Sequence, residues 1–505
     1  MTSLRTGLRF PGRPRAGSRV EPDTAEPAAA ADTRFRLQAL PAAQLLALLA
    51  AGAFLLWWMV LPGNGIVSAP VVGSCLSWLV LLAAVRTLRH VPRRRVGVFV
   101  MAGMVLLGLA AMSAPPRTSN DSARYAWDGI VQKAGFSPYA FVPIDETLAD
   151  HRPAWLFAPG TSGPDGKTVC PVDLFGTESV PATGFPSGNP LCTAINRPHV
   201  PTIYPPTAEI YFLAVRAAVP AAVGYLPFQL GGLLIGAAVT LMLLRVLART
   251  GLPVRLAAVW AWSPFVQLEA VNNAHVDVLG GALLLGAGML LVTGKSFRSG
   301  AAFGAAVATK LIPLIAAPAL LIRHPARFIA SAAGTFLLLY VPFLLAAGSG
   351  VLGFLPGYLK EEGYSQDGDI RFGLARIVSA GTWPLLLSAA ALAVVALVVL
   401  RTTNSRNIWE RQTLMIGLTL LIVSPNYPWY ALMLLPFIVL SRRWEYIAVI
   451  LALDVIYMVP STAPYDVMIA QAALLAAAVA VAVAAWLRHR AGFVPDGLTT
   501  DWMKQ

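Results

Sequence analysis

The sequence is divided into apolar runs of about 15 to 25 residues, each long enough to cross ~30 Å of hydrocarbon as a helix. In lipid every backbone N–H and C=O has to be satisfied internally, so runs of this length and number fold as transmembrane helices packed on one another. Composition agrees. With 57% hydrophobic and 12% charged residues and a mean hydropathy of +0.65, the 505-residue chain reads as an all-α integral membrane protein. A soluble enzyme, a collagen-like fibre and a disordered chain are excluded.

A net charge of +13 raises the question of nucleic acid, and the positions of the basic residues answer it. They fall between the apolar runs: Arg5 to Arg19 before the first, Arg89 to Arg95 after the second, and further clusters at Arg245/Arg249/Arg255, Lys295/Arg298, Arg323/Arg327, Arg401/Arg406/Arg411, Arg442/Arg443 and Arg488/Arg490. This is the positive-inside pattern of a membrane protein, and no nucleic-acid partner is needed to explain it. Residues 1–38, rich in Arg, Pro and Ala without apolar periodicity, read as a disordered cytoplasmic tail. The run that follows is too long for a signal core and has no small-residue cleavage site behind it.

From a cytoplasmic N-terminus, three spans within 39–113 carry the chain to the far side, and 114–224 becomes a large extracytoplasmic loop with interfacial helices. A bundle of about 9–11 helices occupies 225–487, and 488–505 forms a cytoplasmic tail. Spans are expected near 225–247, 255–270, 277–293, 328–347, 383–400, 411–424, 429–440, 445–459 and 466–487, with a short hairpin over 300–322 that carries Lys310 in its middle. The total is about 14 helical segments.

The stretch 114–203 is the one long hydrophilic part, with eight acids against six Lys and Arg, so chemistry is sought there. Cys170 and Cys192 lie in it. On an oxidising side they read as a disulfide closing a loop of about 20 residues, with two free thiols as the alternative; no His accompanies them at zinc-ligand spacing. Asp121, Arg124, Tyr125 and Asp128 recur every three or four residues, so on a helix they share one face. An ordinary capped amphipathic helix with a solvated Asp128 accounts for the same spacing. Pro205 and Pro206 start a further helix, and Glu209, Tyr211 and Phe212 suit an interfacial one. Farther on, Glu269, Asn272, Asn273, His275 and Asp277 cluster where two spans meet. Ionisable groups at such depth are costly and mark function, a polar helix clamp being the other reading.

The ordered set NDSARYAWDG, GFSPYAFVP, TIYPP, EAVNNAHVD, KLIPL and SPNYPWY resembles the polytopic GT-C glycosyltransferases. Within them it looks closest to the actinobacterial polyprenyl-phosphate-mannose-dependent mannosyltransferases, glycosyltransferase family 87 and its alpha-1,6 relatives. The likeness runs over about 97–440. It implies a GT-C-like bundle at the cell membrane whose active site faces outward. There a sugar, mannose in the first instance, passes with inversion from a polyprenyl-phosphate donor to a glycolipid or glycan acceptor.

By the resemblance, Asp121 falls in the place of the general base, with Asp128 as the second catalytic candidate. The family often shows a doubled acid where this chain has Asn120-Asp121, so one carboxylate stands at that point. Donor-phosphate candidates are Arg124, His275, Lys310, Arg371 and Arg376, the loop arginines being open to pairing with Asp367 and Asp369 instead. Substrate-contact candidates are Tyr125, Tyr204, Glu269, Asn273, Asp277, Trp429 and Tyr430. Asp121, Asp128, His275 and Asp277 offer metal-ligand atoms, but the resemblance argues for metal-independent chemistry, so no metal and no cofactor are expected. A polyprenyl-phosphate-arabinose donor, or a lipid-linked sugar transporter or flippase, are the competing readings; no internal repeat supports the latter.

Overall fold

The computed structural model describes residues 26–62, 64, 68–162, 168–170, 183–184, 190–355, 357–358, 371–459 and 465–490. The first helices are α1 (Glu26–Val60), α2 (Ser68–Thr87) and α3 (Arg93–Ala111). α1 begins within the stretch expected to be an irregular tail, and its apolar part runs Pro41–Val60. Two helices outside the bundle follow, α4 (Asp121–Lys133) and α5 (Pro206–Ala217), and the chain returns through α6 (Leu226–Arg249). Because α3 ends just before the hydrophilic stretch and α6 begins just after it, the described residues between 112 and 225 cap one end of the bundle as a separate layer. Beyond α6 come α7 (Ala257–Ala261), α8 (Pro264–Val266), α9 (Asp277–Val292), α10 (Ser296–Val307), α11 (Pro325–Ala347) and the long helices Trp383–Thr402 and Asp466–Arg490.

Among the described residues seven helices are long and apolar enough to cross a membrane, or eight if the pair bent by 114° between Pro264–Asn272 and Asp277–Val292 counts as one span. The chain is a multi-pass membrane protein. About fourteen segments were expected, and the difference lies in those that hydropathy cannot measure for length. Ile408–Val423 has 16 residues and Ile447–Met458 has 12, below the roughly 20 that span the hydrocarbon unaided. Pro428 and Pro436 divide 428–441 into a 3₁₀ turn and a short helix. The hairpin over 300–322 is α10 followed by a 3₁₀ stretch Ile312–Leu320, with Lys310 at the turn between them.

The layer is held together by burial rather than by a large sheet. Its strands are short: Phe157–Pro159 pairs antiparallel with Pro190–Thr193, Phe157 opposite Thr193 and Pro159 opposite Leu191, and the latter strand carries Cys192, bonded to Cys170. α4 packs on α5 so closely that a Cβ at Gly129 would meet the Phe212 carbonyl oxygen at 2.5 Å. Of the residues that suit α5 to an interfacial helix, Glu209 and Phe212 turn to α4, while Ile210 on the other face stays exposed. Glu209 and Phe212 are fully buried against α4, because the ring of Phe212 stacks on Tyr125 at 4.5 Å and closes a core that Tyr204 and Phe228 complete.

Candidate active site

Three chain segments build one cleft between the layer and the bundle. The first is the start of α4. Asn120 precedes the helix, its side-chain amide donating to the Ala194 carbonyl, and Asn196 donates to Asn120 Oδ1, both at 3.2 Å. These bonds tie the helix N-terminus to the loop 194–204 and turn Asp121 into the cleft. The second segment is the break before α9. Residues 267–272 form a π-helical turn, Ala274 takes a left-handed φ of 57°, and α9 then starts at Asp277 in a new direction. Such irregular backbone inside a bundle is costly without a compensating role. The third segment, 427–430, follows the left-handed Ser424 and brings a run of aromatic rings to the same place.

Asn272 and Asn273 clamp the break to the loop after α3. The Asn273 carboxamide oxygen accepts from the Arg117 and Thr118 N–H groups at 3.1 and 3.2 Å, and its amide donates to Thr118 Oγ1 at 2.7 Å and Glu269 at 3.1 Å. Asn272 donates to the carbonyls of Ala111, Ala114 and Pro115. The clamp reading of this segment thus holds for the two asparagines, both fully buried.

His275 and Asp277 face the other way. His275 Nε2 lies 3.1 Å from Glu269 Oε2 and Nδ1 lies 3.6 Å from Asp121 Oδ2, at ion-pair distances, although neither ring nitrogen has hydrogen-bond alignment. Its ring stacks on Trp429 at 3.8 Å, and Trp429 stacks in turn on Tyr427 at 4.8 Å. Lys310 Nζ is 3.1 Å from Asp277 and 4.6 Å from the centre of the Tyr430 ring. It reaches this position because the Thr207 N–H at the start of α5 donates to the Ala308 carbonyl at 2.8 Å. Tyr457 donates its hydroxyl to the Thr118 carbonyl and packs edge-on against Trp429.

The cleft has a volume of about 120 Å³. Of the candidates, Asp121, Arg124, Lys310, Tyr204, Trp429 and Tyr430 line it. Glu269, Asn273, His275 and Asp277 stand behind that wall. Asp128, seven residues after Asp121 on the same face of α4, does not line it: it is 1% exposed and paired with Arg124 at 3.0 Å. Tyr125 is fully buried between Phe212 and Tyr204, in the core of the layer rather than in the cleft. Arg371 and Arg376 do not line it either; Arg376 Nε donates to the Arg371 carbonyl at 2.9 Å beside the Ser424 turn. Asp367 and Asp369, their alternative partners, lie outside the described residues. Sequence reasoning missed Asn196, Arg197, Tyr358, Tyr427 and Tyr457, all of which line the cleft.

Among the described residues lining the cleft Asp121 is the one acid, facing Arg124, Arg197 and Lys310. Burial alone would raise the Asp121 pKa, but the His275 imidazole, the Lys310 charge and the Asn196 amide outweigh it and hold the carboxyl below the usual aspartate range. Two turns farther along α4 the balance is opposite. Burial raises Asp128 despite its Arg124 partner, and it raises Glu209 well above the usual glutamate range, with the Asp128 charge adding to the rise. Thr202 Oγ1 donates to Glu209 Oε1 at 2.8 Å and Gln132 to Oε2 at 2.7 Å.

Residues 202–425 match the model of glycosyltransferase family 87. The segment is a family 87 glycosyltransferase domain. The protein is accordingly a glycosyltransferase with membrane helices, acting between a sugar donor and an acceptor. No curated protein and no solved structure matches the chain. The family 87 domain contains Tyr204, Glu209, the break at 267–277 and Lys310, whereas Asp121, Arg124, Trp429 and Tyr430 come from segments flanking it. The cleft is thus formed where the domain meets its own flanks.

Proposed function

We propose that this protein transfers mannose from a polyprenyl-phosphate donor to a hydroxyl of a glycolipid or glycan on the extracytoplasmic face of the cell membrane, inverting the anomeric carbon, with Asp121 as base. The carrying observation is the cleft's charge pattern: one carboxylate, held ionised, opposite three cations. In such a displacement the acceptor oxygen forms a bond to the anomeric carbon while the bond from that carbon to the phosphate oxygen breaks, and polyprenyl phosphate leaves with the electron pair. Asp121 receives the acceptor proton. Because its pKa is depressed, proton transfer runs with bond formation and not ahead of it. Arg124 and Lys310 meet the phosphate as its charge grows, which replaces protonation of the leaving group. Tyr204, Trp429 and Tyr430 offer ring faces and edges to the sugars. His275 bears on Asp121 from behind, so it acts as a positioning residue, as does Asp128 on Arg124.

The test is a cell-free assay of the purified protein with radiolabelled polyprenyl-phosphate-mannose and, separately, polyprenyl-phosphate-arabinose in the presence of envelope glycolipids. Label entering a glycolipid from the mannose donor alone supports the reading. Label from the arabinose donor alone replaces the sugar, and label from neither overturns the donor class. Sidedness is tested by cysteines at Ala154, in the layer, and Arg94, in the basic loop. An impermeant thiol reagent on intact spheroplasts should reach the former and not the latter; the opposite pattern contradicts an outward-facing site.

A further inference from the structure

A second cavity, of about 570 Å³, opens on the far side of α4 from the cleft. The C-terminal ends of α4 and α5, the turn 150–155 and the connection 219–222 surround it. Its size is that of a small-ligand pocket. Its height is fixed by the chain, since Ala221 and Ala222 are exposed and lie just before α6 enters the apolar bundle at Leu226. The cavity therefore sits at the level of the lipid headgroups. Trp155 on its wall suits that level, its indole N–H donating to the Ala221 carbonyl at 2.8 Å.

Lys133, His151, Arg152 and Arg216 line the cavity, with Asp150 the one acid among the described lining residues. Arg216 is the telling member. It is fully buried, and its two Nη groups donate to the Val223 and Gly224 carbonyls at 2.6 and 3.2 Å. Its Nε has no partner among the described residues. Trp155 and Phe228 lie against the guanidinium at 5.4 and 5.6 Å. Burial lowers its pKa to about 10, so it remains charged at neutral pH, and no carboxylate in the described structure neutralises it. Lys133 Nζ likewise donates only to backbone, to the Arg216 and Val219 carbonyls at 3.3 and 3.0 Å, which leaves one of its three N–H groups to spare. A buried cation without a counter-ion is costly unless an anion arrives.

We infer that this cavity binds the phosphodiester headgroup of a membrane lipid, at a site separate from the cleft where the sugar is transferred. Arginine and lysine at headgroup level form charge-assisted hydrogen bonds with phosphate oxygens, and the apolar share of the wall, from Ile130, Val219 and Ala222, faces the first carbons of the chains. The lipid is either a bulk anionic phospholipid or the anchor of a lipid-linked acceptor; both present the same phosphodiester.

The experiment is native mass spectrometry of the full protein in detergent. It is titrated with dioleoyl phosphatidylglycerol, with dioleoyl phosphatidylcholine and with glycerophosphoglycerol, the same headgroup without chains. Wild type should prefer phosphatidylglycerol over phosphatidylcholine. Lys133→Glu, a change at an exposed side chain, should weaken phosphatidylglycerol binding about tenfold or more, the ordinary worth of a charged hydrogen bond. Arg152→Gln supplies a second variant should the first fold poorly. Asp121→Asn should bind the lipid as wild type does, which separates this site from the proposed catalytic one. Equal phosphatidylglycerol binding by wild type and both cavity variants overturns the inference, as does weakened binding in Asp121→Asn. Glycerophosphoglycerol binding as tight as the full lipid overturns the lipid source. If lipid-linked acceptor displaces phosphatidylglycerol in wild type and not in Lys133→Glu, the phosphodiester belongs to the acceptor anchor; failure to displace assigns it to bulk phospholipid.

Discussion

α4 carries the same residue at its start and at its middle in opposite settings. Asp121 opens the helix, lies 17% exposed at the cleft and has a depressed pKa under the influence of His275, Lys310 and Asn196. Asp128, two turns and about 10 Å farther along, is buried behind it with Arg124 and beside Glu209, and its pKa is raised. Identity of side chain therefore does not assign the role; the neighbours do. The first presents a charge to substrate, and the second holds the guanidinium that lines the same cleft. Each can be broken separately.

The largest stability effect belongs to the rear. Asp128→Ala leaves the Arg124 guanidinium, buried and reaching the Val200 carbonyl at 3.1 Å, without its carboxylate. It should cost about 3–5 kcal/mol, read as a lower midpoint of thermal unfolding in detergent. A loss within ordinary surface-mutation range would mean that the pair is not what seats Arg124.

The front should respond in rate. His275→Gln removes the imidazole that stands 3.6 Å from Asp121 and 3.1 Å from Glu269. Losing this ion-pair contact should lower kcat by roughly tenfold, the equivalent of about 1.4 kcal/mol. KM for donor should change little, and the acid limb of the pH profile should move upward because burial then acts on Asp121 with less opposition. A KM effect without a kcat effect would make His275 a binding residue and nothing more.

How far the sequence foretold this contrast can be judged from the same helix. Spacing correctly puts Asp121 and Asp128 on one side of α4, since seven residues is close to two full turns. It could not show that nearly every residue from Ser122 to Val131 is buried, so that the shared side meets a cleft at one end and α5 at the other. The apolar runs foretold the long helices well because lipid acts on each run independently. The break at 267–277 was legible as a cluster of polar groups at depth, and Lys310 as a charge in need of a partner, which is Asp277. Arg197, Tyr358, Tyr427 and Tyr457 carry no such local signal. They meet only through tertiary packing of segments more than fifty residues apart in places, and an isolated tyrosine near an apolar run looks the same whether it faces lipid or a sugar.

The smallest effect sharpens the comparison. With its pKa raised, Glu209 contributes stability that is full below the ordinary glutamate value and is lost as pH rises through the folded-state value. Glu209→Gln cannot ionise, so its unfolding midpoint should stay within ~1 kcal/mol of wild type at pH 5 and should gain on wild type toward pH 9. A variant that loses ground as pH rises would mean that Glu209 is charged in the fold and helps to hold Arg124.

The decisive measurement is turnover and stability of Asp121→Asn beside Asp128→Asn, with the same labelled donor and acceptor. If Asp121 takes the acceptor proton, its Asn variant should unfold at the wild-type temperature, bind donor normally and turn over roughly 10²–10⁴-fold more slowly. Asp128→Asn should be the less stable of the two and the more active per folded molecule. Near-wild-type turnover in Asp121→Asn, with activity abolished in a folded Asp128→Asn, would contradict the account and transfer the base to the rear of the helix.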